Sequence, residues 1–217
     1  AAIEPRLVAA VALHPNVAAE YSTVAELDEA IAEIAKLAPQ PRVRAVGETG
    51  LDYFRTGEDL IHLQQHSFEA HITIAKENNI ALQIHDRDAH ADVVATLKRV
   101  GAPERTVFHC FSGDKELAEI LIENGWYASF AGTVTFKKNQ DLRDALAMLP
   151  PELILVETDA PFLTPEPFRG RPNSPYLIPI TVRKMAEVRG ISEEEMAGQI
   201  TQNTEAVYGL WSDGLNG

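Results

Sequence analysis

The chain has 217 residues, 45% of them hydrophobic, which is enough for one sizeable core, and its formal charge of −13 disfavours non-specific coating of a nucleic-acid duplex. Its single cysteine, Cys110, excludes an internal disulfide framework and is typical of a reducing compartment. No stretch approaches the roughly 20 apolar residues of a membrane span and no basic-then-apolar signal opens the chain, so we expect a soluble, cytoplasmic protein with no membrane partner.

Apolar runs rich in β-forming residues alternate with stretches of helical period, an order that is typical of parallel β/α units. The first helical stretch opens at a Thr-x-x-Glu capping box formed by Thr23 and Glu26. A second possible box, Ser192 with Glu195, falls in the tail, where only helices follow the proline-rich loop 161–179. The predicted strands are 7–13, 42–48, 80–85, 105–110, 126–132 and 153–158.

The organisation of the chain predicts a single domain over residues 1–217. We find no linker, low-complexity tract or repeat of fixed period that would divide it. Its length and element order are compatible with one barrel or one doubly wound sheet.

Four of the predicted strands end in a residue that can bind a metal ion: Glu48, His85, His109 and Asp159. In a parallel barrel the carboxyl ends of the strands converge on one rim, where active sites are built. Two imidazoles and two carboxylates make a mixed nitrogen and oxygen site, which suits zinc, manganese or a similar divalent ion. A core histidine or a turn-capping aspartate is an ordinary explanation for each residue alone, but not for all four at the same end of successive strands.

Residues i and i+2 of a strand share a face, which indicates further members of the site. Glu157 lies on the face of Asp159, and Arg87 lies one such step beyond His85. Because arginine binds phosphate or carboxylate with two parallel hydrogen bonds, Arg87 is a candidate substrate contact.

His14 ends the first predicted strand in "ALHPN", on the same rim. Two roles are about equally compatible with this position. The ring either touches substrate or supports a turn beside Pro15.

A cluster of cations and one aromatic residue follows the later strands. Phe136 with Lys137 and Lys138 could stack a base and hold a phosphate, although a solvated helix start is slightly favoured for the lysines. The loop after Asp159 adds two arginines, which suit a phosphate or a carboxylate. These are Arg169 and Arg171.

The motifs GETGLDYF, QIHDRDAH, HCFSG, ETDAPFLTP, RGRPNSP and QNTEAVYGL, in this order, resemble the TatD family of metal-dependent deoxyribonucleases over nearly the whole chain. The resemblance implies an α/β fold of the TIM-type (β/α)8 barrel class with a two-metal site. It implies that Glu48 bridges two divalent cations, such as zinc, manganese or magnesium. It further implies that His85 and His109 bind one cation, and that Asp159 binds the other.

The activity implied by the resemblance is hydrolysis of phosphodiester bonds of DNA by metal-activated water. In this scheme Asp159 accepts the proton of the attacking water and Arg87 contacts the phosphate. DNA or another nucleic acid is then the expected partner, and the sequence indicates no obligate protein partner.

One departure from the family concerns the amino end. The family's first strand carries a His-x-His motif, and nothing of that kind precedes Ala1. We count six strands where a closed barrel needs eight, and the first one matches the family's third. We therefore expect an amino-terminally truncated barrel in which about six of the eight strands are present.

Two alternative functions remain compatible with the same residues. Metal-activated water could attack a different ester, such as an aminoacyl ester on tRNA. Loss of the His-x-His motif could instead leave a non-catalytic binding fold with a degraded metal site.

Overall fold

The computed structural model describes residue 4 and residues 7–210. The chain divides into two compact units, one made of Ala1–Val107 with Val207–Gly217 and the other of Phe108–Ala206. The single domain predicted over residues 1–217 stays a prediction. Among the described residues no helix has both the length and the apolar character needed to cross a membrane.

The first unit is built around a long central strand, β2, which pairs in parallel with β1 on one side and β3 on the other. Helix α3 packs against this strand, and its Phe68 and Ile72 are fully buried together with Leu82 of β3. The elements of this part of the chain are β1 (Ala9–Val11), α1 (Pro15–Ala18), α2 (Val24–Leu37), β2 (Val43–Asp52), α3 (Ile61–Glu77), β3 (Ala81–Arg87), α4 (His90–Val100) and β4 (Thr106–Phe108), the last of which reaches the boundary.

In the second unit β5 and β6 pair in parallel. The buried rings of Phe111 and Phe130 pack at a centroid distance of 5.6 Å and form part of its core. Its elements are α5 (Lys115–Asn124), β5 (Tyr127–Phe130), α6 (Gln140–Met148), β6 (Ile154–Val156), α7 (Ile178–Arg189) and α8 (Glu193–Tyr208).

All six predicted strands are present among the described residues, with β1, β2 and β3 paired in parallel in the first unit and β5 with β6 in the second. The predicted alternation of strands and helices is therefore confirmed. The box of Ser192 and Glu195 is confirmed, since the backbone N–H of Glu195 donates to Ser192 Oγ over 3.1 Å and that of Ser192 donates to Glu195 Oε2 over 2.9 Å. At Thr23 the N-cap bond is confirmed, with the N–H of Glu26 donating to Oγ1 over 3.2 Å, but the Glu26 carboxylate accepts from the N–H of Ser22, the residue before the cap.

One boundary differs from the prediction in a way that matters for function. Strand β2 continues through Asp52, so Glu48 lies inside the strand and the prediction that it ends the strand is wrong. The pairing with β3 shifts register between Val46 and Thr49 and then resumes. The predicted strand, 42–48, stops four residues short of the observed end at Asp52.

Candidate metal centre

Glu48 and His85, two of the predicted ligands, lie together in the first unit. His85 Nδ1 is 3.2 Å from Glu48 Oε2. Both side chains are partly open to solvent, 35% for Glu48 and 18% for His85. A carboxylate oxygen and an imidazole nitrogen at this distance can bind the same cation.

Two glycines that flank Glu48 allow this approach. A Cβ atom on Gly47 would lie 2.4 Å from Gln83 Cβ, and one on Gly50 would lie 2.1 Å from the carbonyl oxygen of His85. Gly50 also has φ of +137°, a backbone conformation that L side chains rarely adopt. The GETG motif therefore brings β2 into close contact with β3 at the level of His85.

A buried carboxylate holds the other ring nitrogen of His85. Asp52 is 1% exposed, and its Oδ2 is 3.1 Å from His85 Nε2. Both ring nitrogens of His85 thus face a carboxylate, Nδ1 that of Glu48 and Nε2 that of Asp52. A cation held by Glu48 and His85 would take the lone pair of Nδ1, and Nε2–H would then donate a hydrogen bond to Asp52.

Hydrogen bonds keep the Asp52 carboxylate in its ionised form. Burial by itself raises the pKa of Asp52, but the backbone N–H of Arg55, the side-chain amide of Asn16 and the adjacent His85 together lower that pKa below its ordinary value. The N–H of Arg55 donates to Oδ1 over 2.9 Å, and the Asn16 amide donates to Oδ2 over 3.2 Å. The fully buried Gln64 accepts from the Asp52 backbone N–H over 2.9 Å, which fixes the strand end.

His14 borders the same centre. Its Nε2 is 3.8 Å from Glu48 Oε2, and its ring meets the His85 ring edge-on at a centroid distance of 4.6 Å. Its Nδ1 accepts a hydrogen bond from the backbone N–H of Asn16 over 3.1 Å, at the start of α1. The turn role that the sequence left open is thus present.

The strand end that carries His14 is fixed by a buried histidine that sequence reasoning missed. His71 Nε2 accepts from the backbone N–H of Leu13 over 3.0 Å, and its Nδ1 lies 2.6 Å from the carbonyl oxygen of Ser67. Burial lowers the pKa of His71 to about 4, so the ring is neutral near pH 7.

The second unit repeats the pairing of an imidazole with a carboxylate. His109 follows β4 directly, and its Nδ1 is 2.8 Å from Glu157 Oε2. Glu157 also accepts from the backbone N–H of Cys110. With Nδ1 donating to Glu157, the lone pair of His109 is on Nε2.

Asp159 lies three residues after the end of β6, in a tightly bonded turn of the second unit. Its φ of +56° is in the left-handed region, which aspartate tolerates better than most residues. The buried Asn173 donates from its side-chain amide to the carbonyl oxygens of Thr158 and Phe162 over 2.7 Å and 2.8 Å. These bonds fix the backbone on both sides of Asp159.

The predicted phosphate contact, Arg87, is stacked on an exposed aromatic ring. Its guanidinium carbon lies 3.9 Å from the ring centroid of Phe54, which is 62% exposed. In the second unit the guanidinium of Arg169 lies 4.3 Å from the ring centroid of Phe136. Such stacking restricts the guanidinium and leaves its N–H groups available for an anion.

The donor set fits a divalent cation. His14, Glu48 and His85 each offer an atom within 4.8 Å of the others. Glu48 and His85 supply the oxygen and nitrogen donors that zinc and manganese accept, and Asp52 provides the carboxylate that commonly stands behind a ligating histidine.

Comparison with known proteins agrees with these features. The family model of TatD-related DNases matches residues 1–209. An uncharacterized metal-dependent hydrolase TatD of Mycobacterium tuberculosis is 44% identical over 209 residues, which are 94% of this chain and 77% of that protein. A protein of Pantoea vagans with the name 3'-5' ssDNA/RNA exonuclease TatD is 35% identical over 91% of this chain and 76% of its own length.

A solved structure extends the likeness to the fold. YjjV, a TatD homologue of Escherichia coli, matches with a TM-score of 0.84 at 31% identity, over 94% of this chain and 77% of that chain. This match confirms the predicted fold class. The family model matches residues 1–209, and the structure brings carboxylate and imidazole donors together, as a metal-dependent enzyme requires. The chain therefore belongs to the TatD-related DNase family of metal-dependent hydrolases.

Proposed function

We propose that this hydrolase cleaves phosphodiester bonds of DNA with the help of divalent cations. The observation that carries the proposal is the pair of Glu48 and His85, 3.2 Å apart and supported by the buried Asp52, in a chain of this family. The exonuclease name of the Pantoea vagans relative supports a nucleic-acid substrate.

Four residues are proposed as metal ligands. They are Glu48 and His85 in the first unit and His109 and Asp159 in the second. Two cations of the zinc, manganese or magnesium type are the proposed cofactors. Divalent cations lower the pKa of a water molecule and neutralise phosphoryl oxygens of the substrate.

The side chains of the protein orient the ligands and accept the proton. Asp52 and Glu157 bind one nitrogen of His85 and His109, so that each ring presents the other nitrogen in a fixed direction. Asp159 accepts the proton of the attacking water as the water oxygen bonds to phosphorus and the bond from phosphorus to one sugar oxygen breaks. That sugar oxygen leaves and takes up a proton from solvent. The hydrogen bonds of Asn173 limit the movement of its turn during this step.

Arg87 is proposed to bind the phosphate of the substrate. The whole chain carries a formal charge of −13, so a polyanionic strand needs local positive charge to approach. The guanidinium of Arg87, stacked on Phe54, supplies such a charge in the first unit. In the second unit the ring of Phe136, stacked with Arg169, offers an aromatic face of the kind on which bases stack.

The proposal is tested with end-labelled single-stranded DNA. We expect dialysis against EDTA to abolish cleavage and added Mn²⁺ to restore it. Asp159→Asn should lower kcat by at least about 10²-fold, the usual contribution of a positioned proton acceptor. The matched control is Asp141→Asn, on an exposed position of α6, which should behave as wild type.

Two results would contradict phosphodiester cleavage as the function. One is DNA hydrolysis that persists after chelation or at full rate in Asp159→Asn. The other is release of the amino acid from a charged tRNA in place of DNA cleavage, which would favour the aminoacyl ester as substrate.

A further inference from the structure

The two ring nitrogens of His14 have different hydrogen-bonding roles. Nδ1 accepts from the backbone N–H of Asn16 over 3.1 Å. A backbone N–H can only donate, so the lone pair is on Nδ1, and the proton of the neutral ring is on Nε2. His14 therefore presents an N–H to the proposed metal centre, whereas His85, as a proposed ligand, would present a lone pair to the cation.

The N–H of His14 faces the carboxylate of Glu48, which also lies beside His85. Nε2 lies 3.8 Å from Glu48 Oε2, the same oxygen that lies 3.2 Å from His85 Nδ1. The side chain of His14 is 28% exposed, so a substrate can reach this edge of the ring. The bond from Leu13 to His71 fixes the backbone that carries the ring.

We propose that His14 is a catalytic hydrogen-bond donor and not a metal ligand, and that its Nε2–H donates to a phosphoryl oxygen of the scissile phosphodiester. His14 lies close to Glu48 and His85, but the nitrogen that it presents to them carries a proton and so has no lone pair for a cation. This role rests on the proposed phosphodiester cleavage. It moves no proton and breaks no bond at His14, because the donor stabilises the charge that develops on the phosphoryl oxygens in the transition state.

Two substitutions distinguish the two roles of His14, the hydrogen bond that Nδ1 accepts at the start of α1 and the proposed hydrogen bond that Nε2 donates to substrate. His14→Asn places an amide oxygen near the position of Nδ1, where asparagine is a favoured N-cap, and it removes the donor at Nε2. His14→Gln extends an amide N–H to about the position of Nε2 and gives up the N-cap acceptor. His62→Gln, a histidine at the exposed start of α3, is the matched control.

The measurements are the Tm, the Mn²⁺ affinity by calorimetry and the steady-state cleavage of single-stranded DNA. We expect His14→Asn to keep the Tm and Mn²⁺ affinity of wild type while kcat falls about 10²- to 10³-fold, as on removal of one transition-state donor. His14→Gln should keep more of kcat than His14→Asn. Glu48→Gln removes a proposed ligand, so its Mn²⁺ affinity should fall clearly. The affinity of His14→Asn is compared with this value.

Three other outcomes would contradict the donor role of His14. A fall in the Mn²⁺ affinity of His14→Asn as large as that of Glu48→Gln would make His14 a ligand. An unchanged kcat in His14→Asn would leave it with the helix-capping role. If wild type binds Mn²⁺ but cleaves no DNA, phosphodiester cleavage itself fails and the donor role fails with it, a result that differs from an active wild type with an equally active His14→Asn.

Discussion

A histidine that binds a cation must present a lone pair, and the partner of its other nitrogen decides which one is presented. In the proposed centre Asp52 selects the tautomer of His85, and Glu157 selects that of His109. We therefore propose both carboxylates as positioning residues, which would act through the imidazoles that they contact.

The contribution of Asp52 can be measured by Asp52→Asn. We expect the Mn²⁺ affinity to fall about 10- to 100-fold, because an amide holds the imidazole tautomer less firmly than a carboxylate does. Calorimetry gives the affinity, and the ¹⁵N chemical shifts of His85 report the loss of a single tautomer. Asp141→Asn is again the control, and an unchanged affinity with unchanged ¹⁵N shifts would exclude the positioning role.

Among individual residues, the sequence predicts the proposed metal ligands better than the residues that hold those ligands in place. Glu48 and His85 follow from the pattern of polar residues on successive strands, and the structure brings them together. Asp52 stands four residues after Glu48 and on a strand would share its face, but the predicted strand ended at residue 48 and so left Asp52 out. His71 bonds to a backbone N–H 58 residues away, a contact that no local pattern encodes.

Among the elements, the pair of β2 and β3 depends most on residue size. Glycine at position 50 has no Cβ, and only this allows the carbonyl oxygen of His85 to lie where a Cβ atom would be 2.1 Å away. The pairing continues from Gly50 opposite His85 to Asp52 opposite Arg87. The same strand pair thus carries the proposed ligand, its positioning carboxylate and the proposed phosphate contact.

Gly50→Ala tests this dependence. We expect the free energy of unfolding to fall by more than about 1 kcal/mol, because alanine suits neither the φ angle nor the space, and we expect the Mn²⁺ affinity to fall with it. Gly198→Ala in α8 is the matched control, since its Cβ would meet nothing within 4 Å, and it should gain up to about 1 kcal/mol from helix propensity. Equal stability of Gly50→Ala and wild type in urea unfolding would contradict this account.

The element order could be predicted from the sequence because apolar runs and capping boxes are local signals. All six strands and both N-cap residues, Thr23 and Ser192, were found in this way. The end of β2 could not, because glycines commonly mark turns, and whether they permit close strand contact depends on the neighbouring strand.

For the whole molecule, the buried His71 makes stability depend on pH. Its folded pKa of about 4 lies below the ordinary value of 6.5, so the unfolded chain binds the proton more tightly. The contribution of His71 is complete above pH 6.5 and is lost as the pH falls toward 4, by about 1.4 kcal/mol for each pH unit.

The pH effect is tested by urea unfolding of wild type and His71→Gln at pH 7 and pH 5. The loss of stability between these values should be smaller in the variant by about 2 kcal/mol, because glutamine has no proton to gain. His62→Gln, which changes an exposed histidine, should keep the wild-type loss. An identical loss in all three proteins would show that His71 does not set the pH dependence.

Asn16 has a consequence for how this centre can vary among proteins. Its backbone N–H fixes the tautomer of His14, and its side-chain amide binds Asp52, which fixes the tautomer of His85. One residue of a four-residue helix thus takes part in setting both the donating side and the ligating side of the centre. In the proposed scheme the turn that follows β1 supports both the donating role of His14 and the ligating role of His85, so a substitution at Asn16 acts on both histidines at once.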